Sequence, residues 1–313
     1  MLKSVTAFAP ATVANVGCGF DIFGFAVDEP GDIVKVTLRE TSGVEIVRIT
    51  GDDGRLPKSA EKNTAGFAAL HYLKTIKSNQ SVEIELNKNM PLGSGMGSSA
   101  ASAVAVLFAI NRLFEHALSK HELLPIAIEA EKLACGSAHA DNVAPALFGG
   151  FVLIRENNPP DIIELPVPAE LHCSLIHPEI EIRTEDARNI LDPMIPLKDA
   201  VEQWANTAGL VAGLYSQDYE LIGRSLQDHI VEPHRAALIP YFHKIKQAAL
   251  QAGAMGCSIS GSGPSIFALS RSRPKAQTVA DAMQAVLNRE GIDNQVYVSG
   301  VNQNGPKIID QEE

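Results

Sequence analysis

Pro91-Leu92-Gly93-Ser94-Gly95-Met96-Gly97-Ser98-Ser99-Ala100-Ala101 is the stretch that decides the fold. Upstream of it, Val82, Ile84 and Leu86 alternate with Glu83 and Glu85, the period-two mark of a half-buried strand. Downstream, Ser98 opens an apolar helix carrying Ala100, Ala101, Val104, Leu107, Ile110, Leu113 and Phe114. The glycine segment is thus predicted to turn a strand into a helix. Three alternate glycines give it access to positive φ and let a bound group come close to the backbone. Its two serines fall at the helix start, where about four N–H groups lack intrahelical partners and the dipole leaves roughly +0.5 of a charge. Such a place binds anions, phosphate above all. The Walker A lysine is missing, and the third glycine comes too early for a dinucleotide fingerprint. A plain capped turn needs one glycine, not three and a serine pair.

Around this segment the first half reads as strands. Val34, Val36 and Leu38 alternate with Lys35, Thr37 and Arg39, and Val44 to Ile49 follows Ser42-Gly43. Thr64 to Ile76 reads as a helix with Phe67, Leu70 and Leu73 on one face. A second helix is predicted from Ser119, which has capping-box spacing to Glu122. Asn157-Asn158-Pro159-Pro160 and Pro166-Val167-Pro168 bracket a short strand from Ile162 to Leu165. The domain boundary is placed there, dividing the chain into 1–163 and 164–313. The second half alternates helices (Lys198 to Tyr215, Phe242 to Ala252, Pro274 to Asn288) with strands (Ser265 to Leu269, Gln295 to Val298). Gly253 suits a left-handed cap on the second of these helices. The fold class expected is α+β, with two sheets and helices covering one side of each.

Composition narrows the function. The chain has 313 residues, 45% hydrophobic and 20% charged, which suits a globular protein of two domains at roughly 150 residues each. A formal charge of −11 disfavours binding to nucleic acid, which needs a basic face. Cys18, Cys135, Cys173 and Cys257 lie far apart with no C-x-x-C pair, so free thiols in a reducing, cytoplasmic setting are expected. The most apolar stretch, Ala100 to Leu113, carries Ser102, Asn111 and Arg112, so no membrane span is expected. The first fifteen residues do not resemble a signal peptide. His116 and His121, like His229 and His234, are five apart, the wrong spacing for a metal pair on one helix face.

Two more glycine turns accompany the first: Ser260-Gly261-Ser262-Gly263-Pro264-Ser265, and the segment from Ala9-Pro10 through Gly17-Cys18-Gly19-Phe20-Asp21. Alone, the former reads equally as a hairpin loop. Together the three suggest loops converging on one polyanionic ligand. In the helix from Ser119, Pro125, Glu129 and Lys132 form a wet face, whereas Glu131 lies about 200° from Glu129, among Leu124, Ala127 and Ile128. A carboxylate on an apolar face needs a cation, because burying it unpaired costs several kcal/mol. A buried pair with an arginine would serve.

The three segments, in order, resemble those of the GHMP small-molecule kinases over nearly the whole length, from Ala9-Pro10 to the final strand. Asn15 with Gly19-Phe20-Asp21, Gly136-Ser137-Ala138-His139-Ala140-Asp141-Asn142-Val143-Ala144-Pro145, Thr184-Glu185-Asp186-Ala187-Arg188 and Glu232-Pro233-His234-Arg235 resemble the branch that phosphorylates homoserine. The resemblance implies an N-terminal domain like ribosomal protein S5 domain 2, with a left-handed β-α-β unit, and a ferredoxin-like C-terminal domain. It implies transfer of phosphate from ATP, with Mg²⁺, to the side-chain hydroxyl of L-homoserine in threonine biosynthesis. It assigns Pro91 to Ala101 and Asn63 to the nucleotide, and Ser99 and Glu131 to the metal. Asn15, Asp21, His139, Thr184, Arg188, Arg235 and Gly261 fall to the substrate, with Asp21 on the ammonium side and the arginines clamping the carboxylate. Catalysis falls to Glu131, Ser99, Asn142 and His139. Asn142 stands eleven residues after Glu131, where mevalonate kinases carry aspartate, and an amide accepts no proton. Direct proton transfer from substrate to phosphate is therefore expected, with His139 or Asp141 assisting. A homodimer is the family's common assembly. A mevalonate kinase, or a sensor that kept the nucleotide loops without catalysis, are the rival expectations. H-R-D and D-F-G motifs are missing, which argues against a protein substrate.

Overall fold

Alternating burial organises the first sheet of the chain, of which a computed structural model describes residues 2–41, 43–135 and 139–313. Its strands are β1 (Ser4–Ala14), β2 (Phe23–Arg39), β3 (Val44–Thr50), β4 (Ser81–Asn87), β5 (Phe151–Asn157) and β6 (Pro160–Leu165). In β2, Val34 and Val36 are fully buried while Lys35 and Thr37 are partly exposed; in β4, Val82, Ile84 and Leu86 are buried between half-exposed glutamates. β3 and β4 pair in parallel (Val44 with Val82) and are joined through helix α1 (Thr64–Thr75), forming a β-α-β unit. Helices α2 (Ser98–Leu113), α3 (Lys120–Cys135) and α4 (Val143–Phe148) complete the unit. α2 is apolar on nearly every face and is buried accordingly. α3 starts with the predicted capping box: the Ser119 N–H donates to Glu122 Oε2 at 2.8 Å, and the Glu122 N–H to Ser119 Oγ at 3.3 Å.

The second half comprises α5 (Thr184–Asn189), α6 (Leu197–Ser216), α7 (Tyr219–Ser225), α8 (Glu232–Arg235), α9 (Phe242–Gln251) and α10 (Arg273–Arg289) around an antiparallel sheet. That sheet has β7 (His172–Pro178), β8 (Gly256–Ile259), β9 (Ile266–Ser270) and β10 (Asn294–Gly300) in the order β10-β7-β9-β8. Its strands face two ways. Cys173, Leu175, Phe267 and Leu269 join the core of the first half, while Ile176, Ile266 and Ala268 pack with residues of α9 and α10. Phe25 stacks on Phe151 at 4.6 Å between centroids and meets Phe267 edge-on at 6.0 Å, so aromatic contact joins the halves. Gly253 takes φ +98° after α9, as predicted, and the Ala254 N–H bonds the Ala249 carbonyl at 3.0 Å.

Three expectations are revised. Ala9 to Ala14 form the end of β1, with the turn beginning only at Asn15; these residues are buried on both sides, so alternation vanishes there. Asn157 to Pro160 is the hairpin turn joining β5 to β6, so the boundary placed at 163/164 falls inside a paired strand. A further strand, β11 (Lys307–Glu312), follows β10 and pairs antiparallel with β1, so the last residues belong with the first sheet, whose order is β11-β1-β2-β4-β3 with β5 also on β2. Cys18, Cys173 and Cys257 are buried free thiols; the Cys135 side chain and Gly136-Ser137-Ala138 lie outside the described residues.

Candidate active site

Gly93, Gly95 and Gly97 take φ of +64°, +75° and +66°, each in the left-handed region the glycine spacing anticipates. Space forbids a side chain as well. A Cβ on Gly97 would stand 2.1 Å from Thr12 Oγ1, and one on Gly95 2.5 Å from the Ser260 carbonyl oxygen. Those neighbours come from the other two glycine segments, so the three loops do converge. The Thr12 N–H donates to the Met96 carbonyl (3.1 Å), Ser260 Oγ to the Gly95 carbonyl (2.7 Å) and the Ser265 N–H to the Ser94 carbonyl (3.2 Å). The Gly261 N–H closes the ring on the Ala14 carbonyl at 3.1 Å. The first bond inside α2 runs from the Ala101 N–H to the Gly97 carbonyl, and the N–H groups ahead of it open forward from the helix end. Ser94 Oγ and Ser98 Oγ are buried with no hydrogen-bond partner among the described residues. Donors this close to a helix start suit phosphate oxygens.

The loop borders a cleft of about 900 Å³. Leu92, Gly93, Ser94, Gly95, Gly97, Ser98 and Ser99 line it; Pro91, Met96, Ala100 and Ala101 do not, and the last three are fully buried in the core. Asn63 lines the far end and caps α1, accepting from the Ala65 N–H at 3.0 Å. Glu131 is only 6% exposed, on the α3 face with Leu124, Ala127 and Ile128, whereas Glu129 is exposed. Ser99 Oγ donates to Glu131 Oε1 at 2.8 Å. Asn142 caps this corner, its Oδ1 accepting from Thr12 Oγ1 at 2.7 Å under Gly97.

Charge gathers at the other end. Asp21, at φ +62°, accepts a two-pronged bond from Arg188, Nη1 at 3.0 Å and Nη2 at 2.9 Å. Asn15 Oδ1 accepts from the Asp21 N–H (3.0 Å), while its Nδ2 donates to the Gly261 carbonyl (2.8 Å). Arg235 donates to that same carbonyl (2.9 Å) and, through Nε, to the Ala187 carbonyl (2.9 Å). The Phe20 ring carries both guanidinium groups, at 5.2 and 5.1 Å. Thr184 Oγ1 lies 3.5 Å from Ser262 Oγ. His139 Nδ1 stands 3.6 Å from Asp21 Oδ2, and burial pushes its pKa below the ordinary histidine value.

Asp141 is buried beside this cluster. Desolvation, then the Asp21 and Glu131 charges, push its pKa up to about 7. A carboxyl raised on folding favours the folded state only while protonated, so its contribution is lost as pH climbs through 7. Asp141→Asn is therefore expected to melt higher than the parent at pH 8, with the gain shrinking toward pH 4. Its kcat should fall by much less than the roughly hundredfold that loss of a general base costs. Equal melting temperatures at pH 8, or a thousandfold lower kcat in a folded variant, would contradict this.

Some site residues escaped the sequence. Lys88 follows a strand between two asparagines and looks like an exposed turn lysine, yet it is buried against Asp32 and donates to the Ser98 carbonyl and Ser102 Oγ, both at 2.7 Å. Arg55 and Glu181 form a two-pronged ion pair (2.8 and 2.7 Å) over the cleft, from segments 126 residues apart. No local pattern announces such a pair.

The GHMP kinase N-terminal family model matches residues 63–150 and the GHMP kinase C-terminal model residues 210–289, which bear the phosphate loop and the 260–265 turn respectively. The chain belongs to the GHMP kinases. Among curated relatives of this GHMP kinase, homoserine kinase of Chlorobium phaeobacteroides (strain BS1) is 54% identical, covering 98% of this chain and 100% of its own. The crystal structure of homoserine kinase from Cytophaga hutchinsonii superposes with a TM-score of 0.97 at 60% identity, covering 99% of this chain and 98% of that one. L. major mevalonate kinase, at 15% identity and TM-score 0.73 over 94% and 95% of the two chains, shares the fold. The α+β expectation holds for both halves of the chain. No helix among the described residues is long and apolar enough to cross a membrane.

Proposed function

We infer that this GHMP kinase transfers the γ-phosphate of ATP to the side-chain hydroxyl of L-homoserine, giving O-phospho-L-homoserine and ADP. One observation carries the choice of acceptor: Asp21, Arg188 and Arg235 stand together in the same cleft as the phosphate loop. A zwitterionic amino acid needs an anion for its ammonium and a planar cation for its carboxylate, and this cluster offers both. Mevalonate has no ammonium for Asp21. The full-length curated relatives, named homoserine kinases, support the same acceptor.

The nucleotide's phosphates take the N–H groups at the start of α2 and the Ser94 and Ser98 hydroxyls, whose buried oxygens suit them. Ser99 and Glu131 offer two hard oxygen donors at one corner, a set that fits Mg²⁺, which keeps few protein ligands and completes its shell with water and phosphate. When bound there, the metal supplies charge neutralisation for the transferring phosphoryl group. The chain itself orients. Asn15 and Thr184 line the hydroxyl's path, Asn142 holds the loop through Thr12, and the substrate proton passes directly to phosphate because no amide accepts it. Buried free thiols suit a cytoplasmic enzyme.

The test is ADP release with Mg-ATP and, separately, L-homoserine, L-threonine, mevalonate or no acceptor. Homoserine-dependent release is expected. Release with mevalonate alone would overturn the acceptor, and tight ATP binding without any release would favour a sensor. Arg235→Leu is expected to raise KM for homoserine on the order of 10- to 100-fold, the worth of a charged hydrogen bond, with KM for ATP little changed. Equal rises for both substrates would mean that Arg235 serves only to hold the Ala187 and Gly261 carbonyls.

A further inference from the structure

α6 leaves one apolar stripe, with Leu197, Trp204 and Tyr215, in solvent and buries Ala200, Gln203, Leu210, Gly213 and Leu214. A glutamine on the buried stripe needs its amide fully used, because a polar group left unpaired there keeps its whole desolvation cost. Gln203 meets that need. Its Nε2 donates to the Cys18 carbonyl (2.8 Å) and to Asp228 Oδ1 (3.1 Å), and its Oε1 accepts from the His229 N–H (3.0 Å). Turned over, the amide would set donor against donor and oxygen against carboxylate, so its partners fix one orientation.

Asp228 continues the chain of bonds toward α8. Its Oδ1 also accepts from the Ile230 and Val231 N–H groups, both at 2.9 Å, and its Oδ2 from the Glu232 N–H at 2.8 Å. The Arg235 N–H in turn donates to the Val231 carbonyl at 3.1 Å. On the other side, the Cys18 carbonyl belongs to the turn that carries Asn15 and Asp21, and Thr207 Oγ1 donates to it as well at 3.2 Å. That turn is strained: Asn15, Val16 and Asp21 take φ of +69°, +46° and +62°. Side chains disfavour this region, β-branched ones most, and such backbone persists only where its surroundings over-determine it. The turn lies against the same segment, since a Cβ on Gly17 would stand 2.5 Å from the Leu226 carbonyl oxygen. Gln203 and Asp228 themselves stay outside the lining of the cleft.

We propose that Gln203 and Asp228 are positioning residues for the acceptor: their bonds tie the strained 15–21 turn to the 228–232 segment and so set Asp21 against Arg235. The inference rests on the homoserine reading of the cleft. An α-amino acid carries its ammonium and carboxylate on the same carbon, so an anion and a cation serve it only at one separation. The Gly261 carbonyl, which accepts from Asn15 Nδ2 and Arg235 Nη1, joins the two groups at their tips. Gln203 and Asp228 join them through their backbones. Misplacing a bound substrate by about 1 Å can cost on the order of a hundredfold in rate, so a loosened tie is felt at the reacting hydroxyl.

Gln203→Leu removes the amide with little change in volume. In the full chain it is expected to lower kcat/KM for homoserine on the order of 10- to 100-fold, with KM for ATP within about threefold of the parent. Asp228→Ala should do the same. Asp228→Asn should recover most of the loss, because asparagine caps through its oxygen nearly as well as aspartate. Hydrogen exchange needs no acceptor: in Gln203→Leu the amides of residues 15–23 should exchange about tenfold faster or more, and those of 91–101 at the parent rate. Unchanged exchange over 15–23 overturns the tie. Faster exchange there with kcat/KM for homoserine unchanged overturns the positioning role and leaves a structural one. An Asp228→Asn chain as slow as Asp228→Ala would assign the effect to charge, against the proposal. A parent chain that turns over a different acceptor overturns the homoserine reading, and the same comparison with that acceptor still decides the tie.

Discussion

Glu131→Gln is expected to lower kcat about a thousandfold, some 4 kcal/mol of transition-state stabilisation, with the fold intact. Glutamine has nearly the same volume, and its amide oxygen still accepts from Ser99 Oγ, which now bonds Glu131 Oε1 at 2.8 Å. Only the charge goes. Glu131 sits on the apolar face of α3 at 6% exposure, so the near-isosteric change leaves the packing there in place. The rate loss follows if that charge holds the divalent cation which neutralises the transferring phosphate. Steady-state kcat at saturating ATP and homoserine, repeated across a Mg²⁺ titration, decides it. The variant should need far more Mg²⁺ for half its residual activity. A kcat within tenfold of the parent, with the same Mg²⁺ dependence, would remove Glu131 from the metal site.

Lys88→Met should cost about 3–5 kcal/mol of stability, because it strands a buried carboxylate. For a chain of this size that is roughly a 5–8 °C fall in Tm. The Lys88 and Asp32 side chains are almost wholly buried and in direct contact. The lysine donates also to the Ser98 carbonyl and Ser102 Oγ, and Asp32 accepts from Ser102 Oγ (2.9 Å) and the Asn89 N–H (3.1 Å). The cluster ties β2 and the end of β4 to the first turn of α2. Methionine matches the lysine stem in length, so the loss isolates the charge rather than the packing. Asp32→Leu in the same chain should recover much of the fall, since an apolar pair of similar volume replaces a buried ion pair at little cost. A Lys88→Met chain melting within 2 °C of the parent would show, on the scale expected for a stranded buried charge, that Asp32 finds its own compensation.

What could be foreseen depended on how many faces a segment buries. β2 and β4 have one wetter face, so their alternation is printed in the sequence. β7, β8 and β9 are buried on both faces, and only the last reads as a strand beforehand. β11 fails for the opposite reason: it lies almost wholly exposed and has little apolar signal. Glu131 was legible because helical angle alone separates it from Glu129. The phosphate loop was legible because three glycines in alternate places have few other uses. Asp21 and Arg188 are 167 residues apart, and Lys88 and Asp32 56 apart; such pairs come from the fold, not from spacing. The resemblance to GHMP kinases named the first pair, and nothing named the second. For α6 the period predicted a helix but not that one of its apolar stripes stays in solvent.

Pairing of β11 with β1 also bears on the order in which the protein takes shape during synthesis. β1 leaves the ribosome about 300 residues ahead of β11. At about 5–20 residues per second, the outer edge of β1 waits on the order of fifteen seconds to a minute for its neighbour. Throughout that interval the Ser4–Phe8 stretch of β1 presents unpaired N–H and C=O groups to whatever nascent chains are near. Hydrophobic burial in the first core cannot cover that edge, because only backbone pairing does. The newborn chain therefore passes through a sticky adolescence that ends when β11 arrives to cover that edge.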